Sequence, residues 1–397
     1  MPGSALYANS PFRDIYNWVG QVLPEGFCWL AYFLAGFIVM FAVVNVFMIM
    51  AALYVWAERR LLGRFQSRRG PNRWGPFGIL QPFADMIKLL LKEDIVPSVA
   101  DRVVFGLAPL VAVAPVLLLL VVIPFGKNSF IANVNVALLY LVAVTSVGTL
   151  AILMAGWSSG NKYALFGAMR GVAQLISYEI PLVVALGSVA LLAGSMSLVD
   201  IVEAQHIPFL LVQPLAVLIF YAAISSELNR SPFDLTEAES EIIAGYHTEY
   251  SGVKFSLFQL AEFAGVLTAS AIMATVFLQG WRWAVLPSHL WFLLKLFFFT
   301  FIFIWVRASW PRLRIDQIMG FAWKFLLPLS LINLVVTAVE VYVWPEVTIR
   351  QLWLMAAINW GVALVAVLGL AVLQVQRVPR PMPLPTDRPR VPAQEVR

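Results

Sequence analysis

The chain has 397 residues, 61% apolar and 12% charged, with a formal net charge of +5 and a mean hydropathy of +0.83. Soluble domains carry about twice that fraction of charge, so the composition excludes an ordinary soluble enzyme and points to an integral membrane protein. Cys28 is the single cysteine, which excludes an internal disulfide and a multi-cysteine iron–sulfur site supplied by this chain.

Residues 1–29 form an N-terminal segment whose Arg13, Asp14 and Glu25 precede the first apolar run, unlike a cleaved signal peptide. A membrane span needs roughly 20 apolar residues. Candidate runs lie near 30–55, 103–123, 136–156, 174–193, 208–227, 254–279, 290–307, 322–344 and 352–373. Backbone polar groups in lipid must be paired internally, and alternating strand patterning is absent, so these runs are read as helices. The expectation is an all-α integral membrane protein: one domain over 30–373, with about nine transmembrane helices (eight as the alternative count) and amphipathic interfacial helices. No polar stretch is long enough to bury a soluble core.

The first large connection, 56–102, mixes arginine clusters with Gly70-Pro71, Gly75-Pro76 and Gln81-Pro82. Such turns fold a loop tightly against something, and a partner subunit is the expectation. Within it, Phe83, Ile87, Leu90 and Leu91 share one helical face, while Asp85, Lys88 and Lys92 lie on the other. That pattern predicts an amphipathic helix at the membrane surface. The tail 374–397 is rich in Pro and Arg, reads as extended or disordered, and either solubilises the chain or docks a partner.

Nine spans put 22 of the 27 Lys and Arg on one side, with Lys295 inside a span. The basic side is cytoplasmic, or the matrix side in an organelle, which places the N-terminus outside and the C-terminus inside.

Neither a P-loop nor a Gly-rich dinucleotide fingerprint occurs, and His206, His247 and His289 are scattered. Chemistry then falls to acids at membrane depth. Glu179 lies in the fourth candidate span, Glu227 ends the fifth and Glu262 sits in the sixth. An intramembrane acid is costly and faces the bundle or a wet cavity, so each is a functional candidate unless a neighbouring Tyr, Ser or Lys merely satisfies it. The loop 228–253 adds Asp234, Glu237, Glu239, Glu241 and Glu249. Thr236 and Glu239 have capping-box spacing, so a short helix is predicted on which Glu237 and Glu241 share a face and Glu239 points away. Residue chemistry alone leaves this loop open between a solvated acidic connection and a set of coupled proton sites.

Two long stretches carry a resemblance: AERRLLGRFQSRRGPNRWGPFGILQPFADMIKLLLKED from residue 57, and SPFDLTEAESEIIAGYHTEYSG from residue 231. Both closely resemble signature stretches of the quinone-site membrane subunit of respiratory complex I (NADH:quinone oxidoreductase, NDH-1 type). GNKYALFGAMRGVAQLISYEIPL, from residue 160, resembles a third. The resemblance implies a subunit without a redox centre and with no activity as an isolated chain. It would form the access route and membrane-facing part of a chamber for ubiquinone or menaquinone. It also implies a chain of acids coupling quinone reduction to proton translocation. By position, Glu58, Arg59, Asp85 and Phe233 match the chamber, and Glu227, Glu237, Glu239 and Glu241 the acidic loop beneath it. Glu179 and Glu262 match the membrane-embedded continuation, and Glu249 is a further acid of the motif. Some relatives carry a glutamate in the third span; residues 136–156 here contain none.

The implied partners are hydrophilic-arm iron–sulfur and quinone-site subunits, antiporter-like and small membrane-arm subunits, and lipids, with no nucleic acid. Neither flavin, metal nor iron–sulfur cluster is expected in this chain. The implied location is the bacterial inner membrane, with an organellar inner membrane as the alternative. Two other readings stand beside this one: the equivalent subunit of a membrane-bound hydrogenase or other donor-linked complex, and a stand-alone proton-coupled transporter, which would show paired broken helices from an inverted repeat.

Overall fold

A computed structural model describes residues 10–22, 28–235, 244–283, 285–345 and 348–375. Among these residues there are helices and turns but no β-strand. Among the described residues eight helices are long and apolar enough to cross a membrane. They are α2 (Cys28–Phe65), α4 (Arg102–Leu119), α5 (Ala137–Ser158), α6 (Lys162–Ala193), α10 (Gly252–Phe277), α11 (Ser288–Ser309), the continuous pair α12 (Ile315–Phe321) and α13 (Leu327–Val343), and α14 (Ile349–Val375). Shorter elements are α1 (Ser10–Val22), α3 (Gln81–Leu91), α7 (Leu198–Ala204), α8 (Phe209–Val212) and α9 (Pro214–Glu227).

The run expected to be the fifth span is therefore broken into α8 and α9. Pro214 lacks an N–H and crowds the residue before it, so Gln213 leaves the helical region at φ −125°, ψ 69°. Alone, the 14 residues of α9 rise only about 21 Å. A second irregularity lies between α12 and α13, where Ala322–Leu326 forms a π-helical turn. Pro328, in the first turn of α13, cannot donate to the preceding turn, and the wider winding accommodates that.

The bundle is organised around α10, in which every residue from Ala264 to Phe277 is buried. A helix apolar all round belongs inside a core, and α10 packs against α4, α11 and α2. The outer helices expose large apolar side chains such as Phe33, Phe37 and Phe41 of α2 and Phe297, Phe301 and Trp305 of α11, as a lipid-facing surface requires.

The loop after α2 folds back onto its own helix. A Cβ on Gly70 would stand 2.8 Å from Cα of Arg60, so only glycine permits that approach. The Trp56 indole donates to the Phe77 carbonyl at 3.0 Å, and the Arg60 guanidinium donates to the same oxygen at 2.6 Å. Next comes α3, with no buried residue, whose Ile87, Leu90 and Leu91 stay exposed along its apolar face.

A smaller core fixes the far end of the acidic loop. Phe105 stacks on Tyr250 with ring centroids 4.0 Å apart, and Phe258 meets Tyr250 edge-on. The turn at 245–247 is pressed against α6, where a Cβ on Gly167 would fall 2.8 Å from Gly245.

Candidate functional site

Glu58 lies one turn beyond the apolar part of α2 and is 3% exposed. An isolated carboxylate there would be costly, and two guanidiniums meet it. Arg230 reaches Glu58 at 3.0 Å, and Arg307, near the end of α11, pairs with the same oxygen. Arg230 also faces Glu262 of α10 at 3.1 Å. Its guanidinium stands over the rings of Phe263, at 4.6 Å, and Tyr54, at 5.9 Å. Two acids and two arginines thus balance in charge behind an aromatic wall.

Local geometry puts Arg230 there. After α9 the chain turns through Asn229 at φ 50°, and the Arg230 N–H donates to the Ser225 carbonyl at 2.9 Å. The Gln174 amide of α6 clamps the turn, donating to the carbonyls of Ser226 at 3.0 Å and Phe233 at 2.9 Å. Phe233 itself is packed in the core, edge-on to Tyr178 and near Phe321.

Beside this cluster is a cavity of about 130 Å³, room for several waters. Glu227 and Glu262 line it, together with Thr145, Gly148 and Thr149 of α5 and Thr268 of α10. Thr145 donates to the Val142 carbonyl at 3.0 Å and lines the cavity beside Glu227, and its neighbour Ser146 donates to Glu179 of α6. The third apolar helix, which lacks a glutamate, therefore offers a hydroxyl to Glu179 and lines the cavity of Glu227 with two threonines. Glu58, Arg230, Glu262, the cavity, Glu227, Thr145–Ser146 and Glu179 form one run of polar groups through an apolar bundle.

The remaining sequence-predicted residues fall elsewhere. Arg59 turns away from Glu58 and pairs with Asp85 of α3 outside the bundle. Partial burial raises the Asp85 carboxyl, but the Arg59 and Gln81 hydrogen bonds outweigh it and hold it below the usual carboxylate range. Glu249 accepts a hydrogen bond from Asn161, at the start of α6, at 2.7 Å. Glu237, Glu239 and Glu241, with the short helix expected there, lie outside the described residues.

Sequence reading gave no role to Arg230, Arg307, Thr145 or Ser146. The signal for Arg230 was present, an arginine directly before the acidic motif, whereas hydroxyls in an apolar run have no distinguishing pattern. His247 was also passed over. Burial pushes its imidazole down to about 4, and burial likewise pushes Tyr250 up to about 12 against the opposing Ser158 hydrogen bond.

A family model described as NADH dehydrogenase matches residues 38–338. Over 321 residues, covering 81% of this chain and 89% of the relative, the sequence is 54% identical to the NADH-quinone oxidoreductase H subunit of Dehalococcoides mccartyi. The protein of the same name from Geobacillus kaustophilus is 51% identical over 72% of this chain and 87% of its own. For that of Carboxydothermus hydrogenoformans the identity is 46%, over 78% of this chain and 90% of the relative. The family match spans the arginine-rich loop, the acidic loop and every helix that contributes to the buried cluster, and the chain belongs to the family of NADH-quinone oxidoreductase H subunits.

Proposed function

We propose that the polar run from Glu58 to Glu179 couples quinone reduction by partner subunits to proton movement in the membrane arm of a respiratory NADH:quinone oxidoreductase. The single observation that carries this reading is continuity. Arg230 joins Glu58 to Glu262, Glu262, Glu227 and Thr145 line one cavity, and Ser146, next to Thr145 on α5, donates to Glu179. Acids in contact titrate as a set, so a charge change at one end is felt at the other.

In this reading the Glu58 end faces the quinone chamber. Quinone, either ubiquinone or menaquinone, reaches it along α2 and the exposed apolar face of α3, with Arg59 and Asp85 fixing the helix pair at the rim. Electrons arrive from a partner's iron–sulfur cluster, since the chain has one cysteine. Arg230 is the transmitting group. When Glu58 takes up a proton, the two guanidiniums are left facing one carboxylate, Glu262, and the net positive charge on the cluster favours the ionised form of Glu227 across the cavity. Glu237, Glu239 and Glu241 are assigned to the chamber side of the same set, and Glu249 to its edge.

The arginine-rich loop faces the cytoplasm and the hydrophilic-arm partners, with the N-terminus outside. The other membrane-arm subunits take up the signal beyond Glu179. The location is the bacterial inner membrane.

The test replaces Glu179 and Glu241 singly by Gln in the assembled complex and follows both quinone reduction and proton pumping in sealed vesicles. Loss of pumping, with or without loss of quinone reduction, is expected. Wild-type levels of both would remove those positions from the path.

A further inference from the structure

One buried acid takes no part in the polar run. Glu340 of α13 is 5% exposed, and one of its oxygens, Oε2, accepts from Nδ2 of Asn359 of α14 at 3.0 Å. Its other oxygen, Oε1, is buried without a partner among the described residues, and no basic side chain forms an ion pair with it there. The facing elements offer no charge nearby. Glu340 and Tyr342 are the only ionisable side chains of α13, α8 has none, α9 has Tyr221 and, at its far end, Glu227, α14 has the exposed Arg350, and those of α6 (Lys162, Tyr163, Arg170, Tyr178 and Glu179) all lie nine or more residues before Ser188.

The same seam holds more unpaired acceptors. Asn333, Thr337 and Glu340 follow one another at four and three residues, so they share a face of α13. Asn333 donates to Ser188 of α6 at 2.8 Å, while its Oδ1 is buried without a partner. Gln213, at the break between α8 and α9, donates to Thr337 at 3.1 Å, and its Oε1 is likewise unpartnered. Three buried oxygens accept nothing, and an ionised Glu340 would worsen that imbalance. A neutral carboxyl corrects it, because its O–H is a donor placed among acceptors.

We propose that Glu340 is a second proton-binding site of the bundle, where its carboxyl and the free amide oxygens of Gln213 and Asn333 hold a proton and the water that shares it. The site is separate from the run that contains Glu179. Ser188 lies nine residues beyond Glu179 on α6, which at 3.6 residues per turn is the opposite face. It also occupies the other end of the bundle, three residues before α13 ends at Val343. Arg307, by contrast, lies at the end of α11 that leads into α12. Among the described residues Glu340 is the one buried carboxylic acid in that half. The proposal does not rest on the function proposed above.

The test is infrared spectroscopy of the assembled complex, wild type minus Glu340→Gln, in H₂O and D₂O. The expected difference is the loss of one protonated-carboxyl C=O band that shifts in D₂O. Loss of a carboxylate band instead would show an ionised Glu340 and overturn the proposal, and a C=O band indifferent to D₂O would overturn its hydrated part. Should Glu340→Gln not assemble, Asn359→Leu decides. Removing the Asn359 donor moves the C=O band to higher frequency if Glu340 is protonated, and leaves that region unchanged if it is not.

Discussion

Arg230 and Glu58 meet at 3.0 Å across 172 positions of sequence, and both side chains are 4% exposed. That contact ties the end of α2 to the turn after α9, and the same guanidinium continues to Glu262. Removing one partner of a buried pair leaves a charge unpaired, at about 3–5 kcal/mol. Arg230→Leu takes the arginine from Glu262, leaves Glu58 to Arg307 alone, and is expected to abolish accumulation of assembled complex. Arg230→Lys supplies a point charge in place of a fork and should assemble with impaired quinone reduction. An Arg230→Leu complex that assembles and reduces quinone at the wild-type rate would contradict the assignment.

Ser146 carries a second prediction. Its hydroxyl donates to Glu179, and a hydrogen bond to a charged group contributes about 1.5–3 kcal/mol. Ser146→Ala should lower proton pumping about tenfold, the equivalent of ~1.4 kcal/mol. In a Glu179→Gln background the same change should have little further effect, because the two residues act through one contact. Additive losses in the double variant would separate them.

Gly167 tests the seating of the 245–247 turn. A Cβ there would meet Gly245 at 2.8 Å, and both atoms belong to fixed backbone. Gly167→Val should lower the thermal stability of the subunit by about 1–3 kcal/mol. Gly187 on the same helix has nothing within 4 Å, so Gly187→Ala should be neutral or slightly stabilising.

His247 predicts a pH window. Burial holds its folded-state value near 4, against about 6.5 in the unfolded chain. The unfolded state therefore binds the extra proton as pH falls, and stability is full above about 6.5 and declines toward 4, by about 3 kcal/mol in all. Thermal denaturation of wild type and His247→Phe between pH 7 and pH 4.5 checks this. The wild type should lose more stability on acidification, and parallel curves would contradict it.

Much of the fold was legible because lipid imposes its own rule. Helices α2, α4, α5, α6, α10, α11 and α14 announce themselves as apolar runs of spanning length. The break at Gln213-Pro214 was less visible, because Pro214 sits inside a run that composition alone joins. Glu179, Glu227 and Glu262 were legible as acids out of place. Their connection was not, since Arg230 looks like one more basic residue and Ser146 like one more small one. The partnership of Glu58 with Arg307 spans 249 positions, and no local pattern encodes it. Arg59, adjacent to Glu58 in sequence, points the other way because consecutive helical residues sit about 100° apart.

In the proposed coupling one set of acids links quinone reduction to proton movement, and Glu227 is its midpoint, sharing a cavity with Glu262 and with Thr145, whose neighbour Ser146 holds Glu179. The most direct measurement is the number of protons translocated per quinone reduced by the assembled Glu227→Gln complex in sealed vesicles. The ratio is expected to fall, with quinone reduction retained or slowed. An unchanged ratio at an unchanged rate of quinone reduction would contradict it.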